Sequence, residues 1–147
     1  MLLDTSNAIT LADLDGDGDL DAYIANSGPF LRDAHDFAGE QNRFYRNNGH
    51  GRFRDKTLKY FPPMADPSTG VVIGDVNGDG LLDILVTNSG ANNGVERLYI
   101  QVKKHGKDKP SAADGTDAMP IFGILCILTT RSNGKSGLNF IFVRLGF

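Results

Sequence analysis

A nine-residue segment rich in aspartate and glycine occurs twice and restricts the fold more than any other feature of this chain. The first copy spans Asp13–Asp21 and reads DLDGDGDLD; the second spans Asp75–Asp83 and reads DVNGDGLLD. Oxygen-bearing side chains stand at positions 1, 3, 5 and 9 of each copy, and glycines stand at positions 4 and 6. Because glycine adopts positive φ without a steric penalty, each segment is predicted to form a tightly wrapped loop.

The spacing of these oxygens suits a hard cation. Calcium takes about six to eight oxygen ligands at roughly 2.3–2.6 Å. Positions 1, 3 and 5 offer side-chain oxygens, position 7 a backbone carbonyl, and position 9 a carboxylate. The alternative is a pair of acidic surface turns without metal. However, eight of the 18 acidic residues lie in these two loops, and like charges this close repel one another without a counter-ion.

The loops lie inside a longer repeat. Residues 9–28 and 71–90 are identical at nine of twenty aligned positions. Short apolar runs flank each loop, so the sequence predicts two β-hairpins. This excludes the EF-hand, which has flanking helices and a glutamate at loop position 12. The residues at that position here are Ile24 and Val86, which have no side-chain ligand atom.

Each repeat is predicted to form a four-stranded antiparallel unit. In the first repeat the predicted strands are residues 8–12, 21–25, 42–46 and 52–58. Phe53 should point inward, because it alternates with Arg52 and Arg54. Residues 30–41 form an insertion, predicted as either one helical turn or a surface loop. A sheet of this kind has an apolar face that it cannot bury alone, so such units stack, most often as propeller blades.

The second repeat is shorter and is followed by a different pattern. Its predicted strands are residues 71–73, 84–86 and 97–100, and the apolar runs 121–130 and 138–145 predict a further hairpin. The predicted fold is all-β: a partial β-propeller of about two four-stranded antiparallel blades with a divergent C-terminal hairpin tail. The predicted domains are a first blade (5–62), an incomplete second blade (67–101), a polar linker (102–119) and the hairpin tail (120–147).

Composition excludes several classes of function. The net charge is −3, and the acidity is concentrated in the loops, so no broad basic face for nucleic acid is predicted. No apolar run reaches the roughly 17–25 residues of a membrane helix. The start of the chain, MLLDTSNAIT, lacks the basic and apolar regions of a signal peptide.

The two acidic loops, the Asn-Ser-Gly turns that follow them, and the segments NRFYRNNG and FRDKT together resemble the FG-GAP/VCBS repeat family. Within that family they are most similar to ASPIC/UnbV-type proteins, which include cartilage acidic protein 1. The resemblance implies blades of an integrin-α-like β-propeller with structural calcium, at an extracellular or cell-surface location, and a protein or matrix ligand of unknown identity. The ligands it implies are Asp13, Asp15, Asp17, Asp19 (carbonyl) and Asp21 in the first loop, and Asp75, Asn77, Asp79, Leu81 (carbonyl) and Asp83 in the second.

The favoured function is therefore a non-enzymatic calcium-binding interaction module with two calcium sites. The alternatives are an accessory domain of a secreted enzyme and a non-functional truncated gene product. No hydrolase, zinc-protease or phosphate-loop motif is present, which argues against catalysis. Because ligand charge tunes affinity, the first loop, with five aspartates, should bind calcium more tightly than the second. The side chain of Asp19 should point outward.

Overall fold

The regular secondary structure of the described residues is antiparallel β-strand, apart from one short helix. The computed structural model describes residues 5–31, 36–89, 96–102, 121–132 and 135–143. The elements, in chain order, are β1 (Ser6–Ala12), β2 (Asp21–Asn26), β3 (Phe30–Leu31), β4 (Asp36–Phe37), β5 (Glu40–Gln41), β6 (Arg43–Arg46), β7 (Arg54–Asp55), α1 (Thr57–Tyr60), β8 (Ala65–Asp66), β9 (Ser68–Gly74), β10 (Asp83–Asn88), β11 (Glu96–Val102), β12 (Ile121–Ser132) and β13 (Lys135–Val143).

Two main sheets correspond to the two sequence repeats. The first sheet has the strand order β1-β2-β6-β7, and the second has the order β13-β12-β11-β10-β9. All strand pairs in both sheets are antiparallel. The prediction of an all-β partial propeller, in which the two acidic loops connect hairpin strands, is confirmed. The C-terminal hairpin joins the second sheet, because residues 121–127 of β12 pair with β11 along the whole length of β11. The second sheet thus has five strands.

The prediction of a fourth strand over residues 52–58 is largely wrong. Only Arg54 and Asp55 pair with β6, and the helical turn α1 follows. The chain leaves the sheet at Thr57, whose hydroxyl accepts the backbone N–H of Phe44 at 2.9 Å. This side-chain contact takes the place of the next ladder hydrogen bond. Phe53 lies before the paired residues and is 48% exposed, so the prediction that it points inward is wrong as well.

In the insertion, the structure describes residues 30–31 and 36–41, and these contain no helical turn. Its described residues form short strands: β3 pairs with β4, and β5 pairs with β8 in the crossover between repeats. Glycine at position 39 is required there, since its φ is +77° and an added Cβ would collide with the backbone of Ala65. The insertion is therefore tied to the crossover. The predicted linker falls almost entirely outside the described residues.

The core lies between the two sheets. Tyr23 and Phe44 of the first sheet, Phe61 of the crossover and Tyr99 of the second sheet are buried together with Leu14, Ile84 and Val86. Phe61 makes edge-to-face contacts with three rings, at centroid distances of 5.4 Å to Tyr23, 5.9 Å to Phe44 and 5.1 Å to Tyr99. Aromatic pairs in this geometry add stabilisation beyond the area they bury. A crossover residue thus connects both repeats.

Buried polar groups close the opposite end of the sheets from the acidic loops. Asn42 donates to the Ser68 hydroxyl at 3.0 Å, and that hydroxyl donates to Asn88 at 2.7 Å. The two Asn-Ser-Gly turns are anchored alike, with Ser27 N–H donating to Thr5 and Ser89 N–H donating to Pro67, each at 2.9 Å. The serine of each turn therefore makes the same kind of backbone hydrogen bond in both repeats. Among the described residues, no helix has the length and apolar character needed to cross a membrane.

Candidate metal centre

Each acidic loop joins the first two strands of its sheet. The first loop connects β1 to β2, and the second connects β9 to β10. All four loop glycines have positive φ: 77° and 93° at Gly16 and Gly18, and 76° and 84° at Gly78 and Gly80. A side chain at these positions would be strained, which explains why glycine is needed there. Both loops therefore fold back on themselves as their sequences predict.

In the first loop, backbone N–H groups converge on the carboxylates of the odd positions. Asp13 accepts from Gly16 and Asp17 on one oxygen, at 2.8 and 3.1 Å, and from Gly18 on the other at 3.0 Å. Asp15 accepts from Asp17 at 3.2 Å. Asp17 in turn accepts from the N–H of Asp19 at 3.0 Å. These bonds turn the carboxylates of positions 1, 3 and 5 toward the inside of the loop.

The second loop repeats this pattern bond for bond. Asp75 accepts from Gly78 at 2.7 Å, from Asp79 at 3.2 Å and from Gly80 at 2.9 Å. Asn77 accepts from Asp79 at 3.0 Å, and Asp79 accepts from Leu81 at 2.8 Å. These N–H donors lower the pKa of Asp75, with the Gly80 N–H contributing most. The two loops thus have the same hydrogen-bond geometry because they have the same residue types at positions 1, 4, 5 and 6.

Three carboxylates of the first loop come together as a potential cation site. One oxygen from each of Asp13, Asp15 and Asp17 lies within 4.8 Å of the other two. Such an all-oxygen donor set fits a hard divalent cation. The second loop places Asp75, Asn77 and Asp79 at the matching positions, where Asn77 donates an amide N–H to Asp79 at 3.0 Å. The three-carboxylate group does not include the other predicted ligands of the first loop, Asp19 and Asp21. It also includes no residue of the second loop, such as Leu81 or Asp83.

The position-9 aspartates fasten each loop to its sheet. Asp21 is buried and accepts from the N–H of Leu14 at 3.2 Å and from the N–H of Asn47 at 2.8 Å. Asp83 is also buried and accepts from Val76 at 3.0 Å and from Gln101 at 2.8 Å. Burial raises the pKa of Asp21 to about 6. An ionised carboxylate here is favoured by the N–H donors and by any cation bound in the loop.

The structure adds Arg46, which the sequence reasoning did not include in the site. Its guanidinium contacts the carboxylates of Asp15 and Asp17, the latter at 3.2 Å. Burial raises the pKa of Asp15 despite this cation. Burial also acts to raise the pKa of Asp17, but hydrogen bonds from Asp19 N–H and Arg46 outweigh it and lower that pKa. Ile100 occupies the aligned position in the second repeat. The sequence therefore shows that only the first repeat has a cation at this position, but it does not show which carboxylates that cation contacts.

Asp19 lies against the turn that follows β6. Its carboxylate sits so close to Gly49 that an added Cβ at that glycine would collide with it. The side chain is half-buried and does not project freely into solvent. The side chain therefore lies outside the loop, where the turn after β6 covers part of it.

Comparison with known proteins identifies a repeat class. The sequence model of a family described as FG-GAP-like repeat matches residues 13–86, which is half of the chain. The match runs from the first aspartate of the first loop into the strand that follows the second loop. No curated protein matches the chain.

Proposed function

Because this chain belongs to the FG-GAP-like repeat family, we propose that it is a non-enzymatic calcium-binding β-propeller module in which calcium has a structural role. The observation that carries the proposal is the hydrogen-bond pattern common to both loops, which turns their oxygen-bearing side chains inward. In the first loop this brings three carboxylates within 4.8 Å of one another. Acidic groups held this close gain stability when a cation neutralises them.

The proposed ligands divide into loop residues and anchoring residues. Side chains at positions 1, 3 and 5 hold the cation, while the position-9 aspartates bind it and also fix the loop to the sheet. The ligands are Asp13, Asp15, Asp17, the carbonyl of Asp19, Asp21, Asp75, Asn77, Asp79, the carbonyl of Leu81, and Asp83. Bound calcium would supply positive charge where each hairpin turns. Since only the folded loops bind it well, calcium would stabilise the fold by mass action.

The proposal extends to the setting in which the module works. Extracellular calcium modules typically bind at roughly 10⁻⁴–10⁻³ M, which matches calcium outside cells. We therefore propose that the chain acts outside the cell or at its surface. Its role there would be in extracellular matrix, adhesion or cell-surface interaction, with a protein or matrix ligand. The relationship to ASPIC/UnbV-type proteins such as cartilage acidic protein 1 is part of this proposal. It rests on the NRFYRNNG and FRDKT segments beside the loops.

Isothermal titration calorimetry tests the two proposed sites separately. We expect the wild-type chain to bind two calcium ions, and Asp13→Asn and Asp75→Asn to bind one each. Asp55→Asn is the matched control, because Asp55 lies outside both loops and the new amide oxygen still accepts from Thr57. It should bind two ions. Absence of saturable calcium binding by the wild-type chain would refute the proposal.

Arg46 should weaken calcium binding at the first loop. Its guanidinium already contacts two proposed ligands, Asp15 and Asp17, so a calcium ion must compete with it. We expect Arg46→Gln to strengthen binding at the first site by about tenfold, which corresponds to about 1.4 kcal/mol. The second site in the same titration is the internal control. Weaker binding at the first site in this variant would show that Arg46 orients the ligands instead of competing.

A further inference from the structure

The two sheets pack against each other, and each uses a different one of its two faces. Because the sheets arise from a sequence repeat, the residues equivalent to each face can be identified in the other sheet. The second sheet contributes Val71, Ile73, Val86 and Tyr99 to the inter-sheet contact. The first sheet and its loop receive them with Thr10, Leu14, Tyr23 and Phe44, together with Phe61 of the crossover. Thr10, Tyr23 and Phe44 are cross-strand neighbours on one face of the sheet. The contact is therefore heterologous: it joins one kind of face to a different kind.

The first sheet carries a partly exposed copy of the face that the second sheet uses. By repeat alignment, Ile9, Leu11, Ile24 and Tyr45 correspond to Val71, Ile73, Val86 and Tyr99. The register confirms a common face, since Ile9 pairs with Ile24, and Ala22 pairs with both Leu11 and Tyr45. Ile9 is 61% exposed and Leu11 is exposed as well, whereas Ile24 and Tyr45 are half-buried. We call these four residues the front face.

The second sheet carries a partly exposed copy of the receiving face. Val72, Val76, Leu85 and Leu98 correspond to Thr10, Leu14, Tyr23 and Phe44. Val72, Leu85 and Leu98 are cross-strand neighbours. Val72 and Val76 are 62% and 57% exposed, whereas Leu85 and Leu98 are half-buried. Leu14, which corresponds to Val76, is buried. We call these four residues the back face.

We propose that this chain associates with further copies of itself, front face to back face. The two partly exposed apolar faces lie on different sheets, and their repeat equivalents already pack together inside the chain. The front face of a second copy would pack against the back face of the first copy. This contact would repeat the packing seen between the two sheets within one chain. Such a heterologous contact forms a ring when the rotation closes and an open chain when it does not. Since propellers typically have about four to eight blades, a closed ring would hold roughly two to four copies.

The association should be weaker than the packing within the chain. The back face has Leu85 and Leu98 where the internal contact has the larger rings of Tyr23 and Phe44. Phe61, which fills the centre of the internal contact, belongs to the crossover between the two repeats. The inter-copy contact therefore buries smaller side chains. We expect dissociation constants of about 1–100 μM, so the oligomer should appear as concentration rises.

Sedimentation velocity of the full chain at 1–200 μM tests this. The wild type should shift from monomer to larger species. Ile9→Glu on the front face and Val72→Glu on the back face should each leave the protein monomeric. Both side chains are mostly exposed, so the substitutions bury no charge in the monomer. Leu58→Glu is the control: Leu58 is 72% exposed on α1 and belongs to neither face, and this variant should associate like the wild type.

Mixing the two face variants distinguishes the proposed geometry from a symmetric dimer. Ile9→Glu retains an intact back face and Val72→Glu an intact front face, so a one-to-one mixture should form a dimer that neither variant forms alone. Circular dichroism of each variant checks that it is folded. A wild-type chain that stays monomeric throughout the range would overturn the proposal. Unchanged self-association of Ile9→Glu or Val72→Glu alone would overturn it as well.

Discussion

Phe61→Ala is expected to lower the free energy of unfolding by about 4 kcal/mol, in the range measured for buried aromatic truncations. Phe61 is 3% exposed and lies between the sheets, where its ring contacts those of Tyr23, Phe44 and Tyr99. The substitution removes three edge-to-face contacts and leaves a cavity where the two repeats meet. The loss should therefore affect both sheets together.

Urea denaturation followed by circular dichroism measures this loss. Phe53→Ala is the matched control, because the same side chain is deleted at a position that is 48% exposed. It should cost less than about 1 kcal/mol. Phe61→Leu should recover part of the stability by refilling the cavity. Equal losses for Phe61→Ala and Phe53→Ala would contradict the assignment of Phe61 to the centre of the core.

Asp21→Ala is expected to destabilise the chain by about 3 kcal/mol even without metal. The buried carboxylate accepts two backbone N–H groups, from Leu14 in the loop and from Asn47 beyond β6. Its removal leaves these donors without their acceptor. Hydrogen bonds to charged groups contribute about 1.5–3 kcal/mol each, and an unpaired buried donor costs about 1–3 kcal/mol. Asp21 thus holds the loop to the sheet before any cation binds.

Unfolding in EDTA isolates this contribution from that of metal. Asp79→Ala is the comparison, since Asp79 is an exposed loop aspartate whose backbone contacts are local. In EDTA it should cost less than about 1 kcal/mol. If Asp21→Ala and Asp79→Ala are equally stable in EDTA, then Asp21 has no anchoring role apart from metal.

The parts of the fold that the sequence predicted correctly are those set by local chemistry. Glycine and aspartate determine how each loop turns, and the flanking apolar residues determine the strands before and after it. Both loops therefore have the predicted backbone form, at Asp13–Asp21 and Asp75–Asp83. The repeat also helped the prediction, because equivalent loop positions in the two copies make equivalent hydrogen bonds.

The parts that sequence reasoning missed depend on contacts between distant residues. The strand predicted at residues 52–58 ends early because the Thr57 hydroxyl bonds to Phe44, thirteen residues away. Nothing local distinguishes that threonine from one within a strand. Arg46 is likewise in a strand, and its position beside Asp15 depends on how β6 pairs with β2. The contact of Asp19 with Gly49 has the same origin.

We propose that calcium stabilises this fold through the two acidic loops. Thermal melts of the wild-type chain and of the Asp13→Asn/Asp75→Asn double variant, in EDTA and in millimolar calcium, test this most directly. Each occupied site should add about 2.7 kcal/mol when calcium is 100 times the Kd. The account predicts a higher Tm in calcium for the wild type, reversed by EDTA, and little shift for the double variant. A wild-type Tm that is the same in calcium and in EDTA would contradict it.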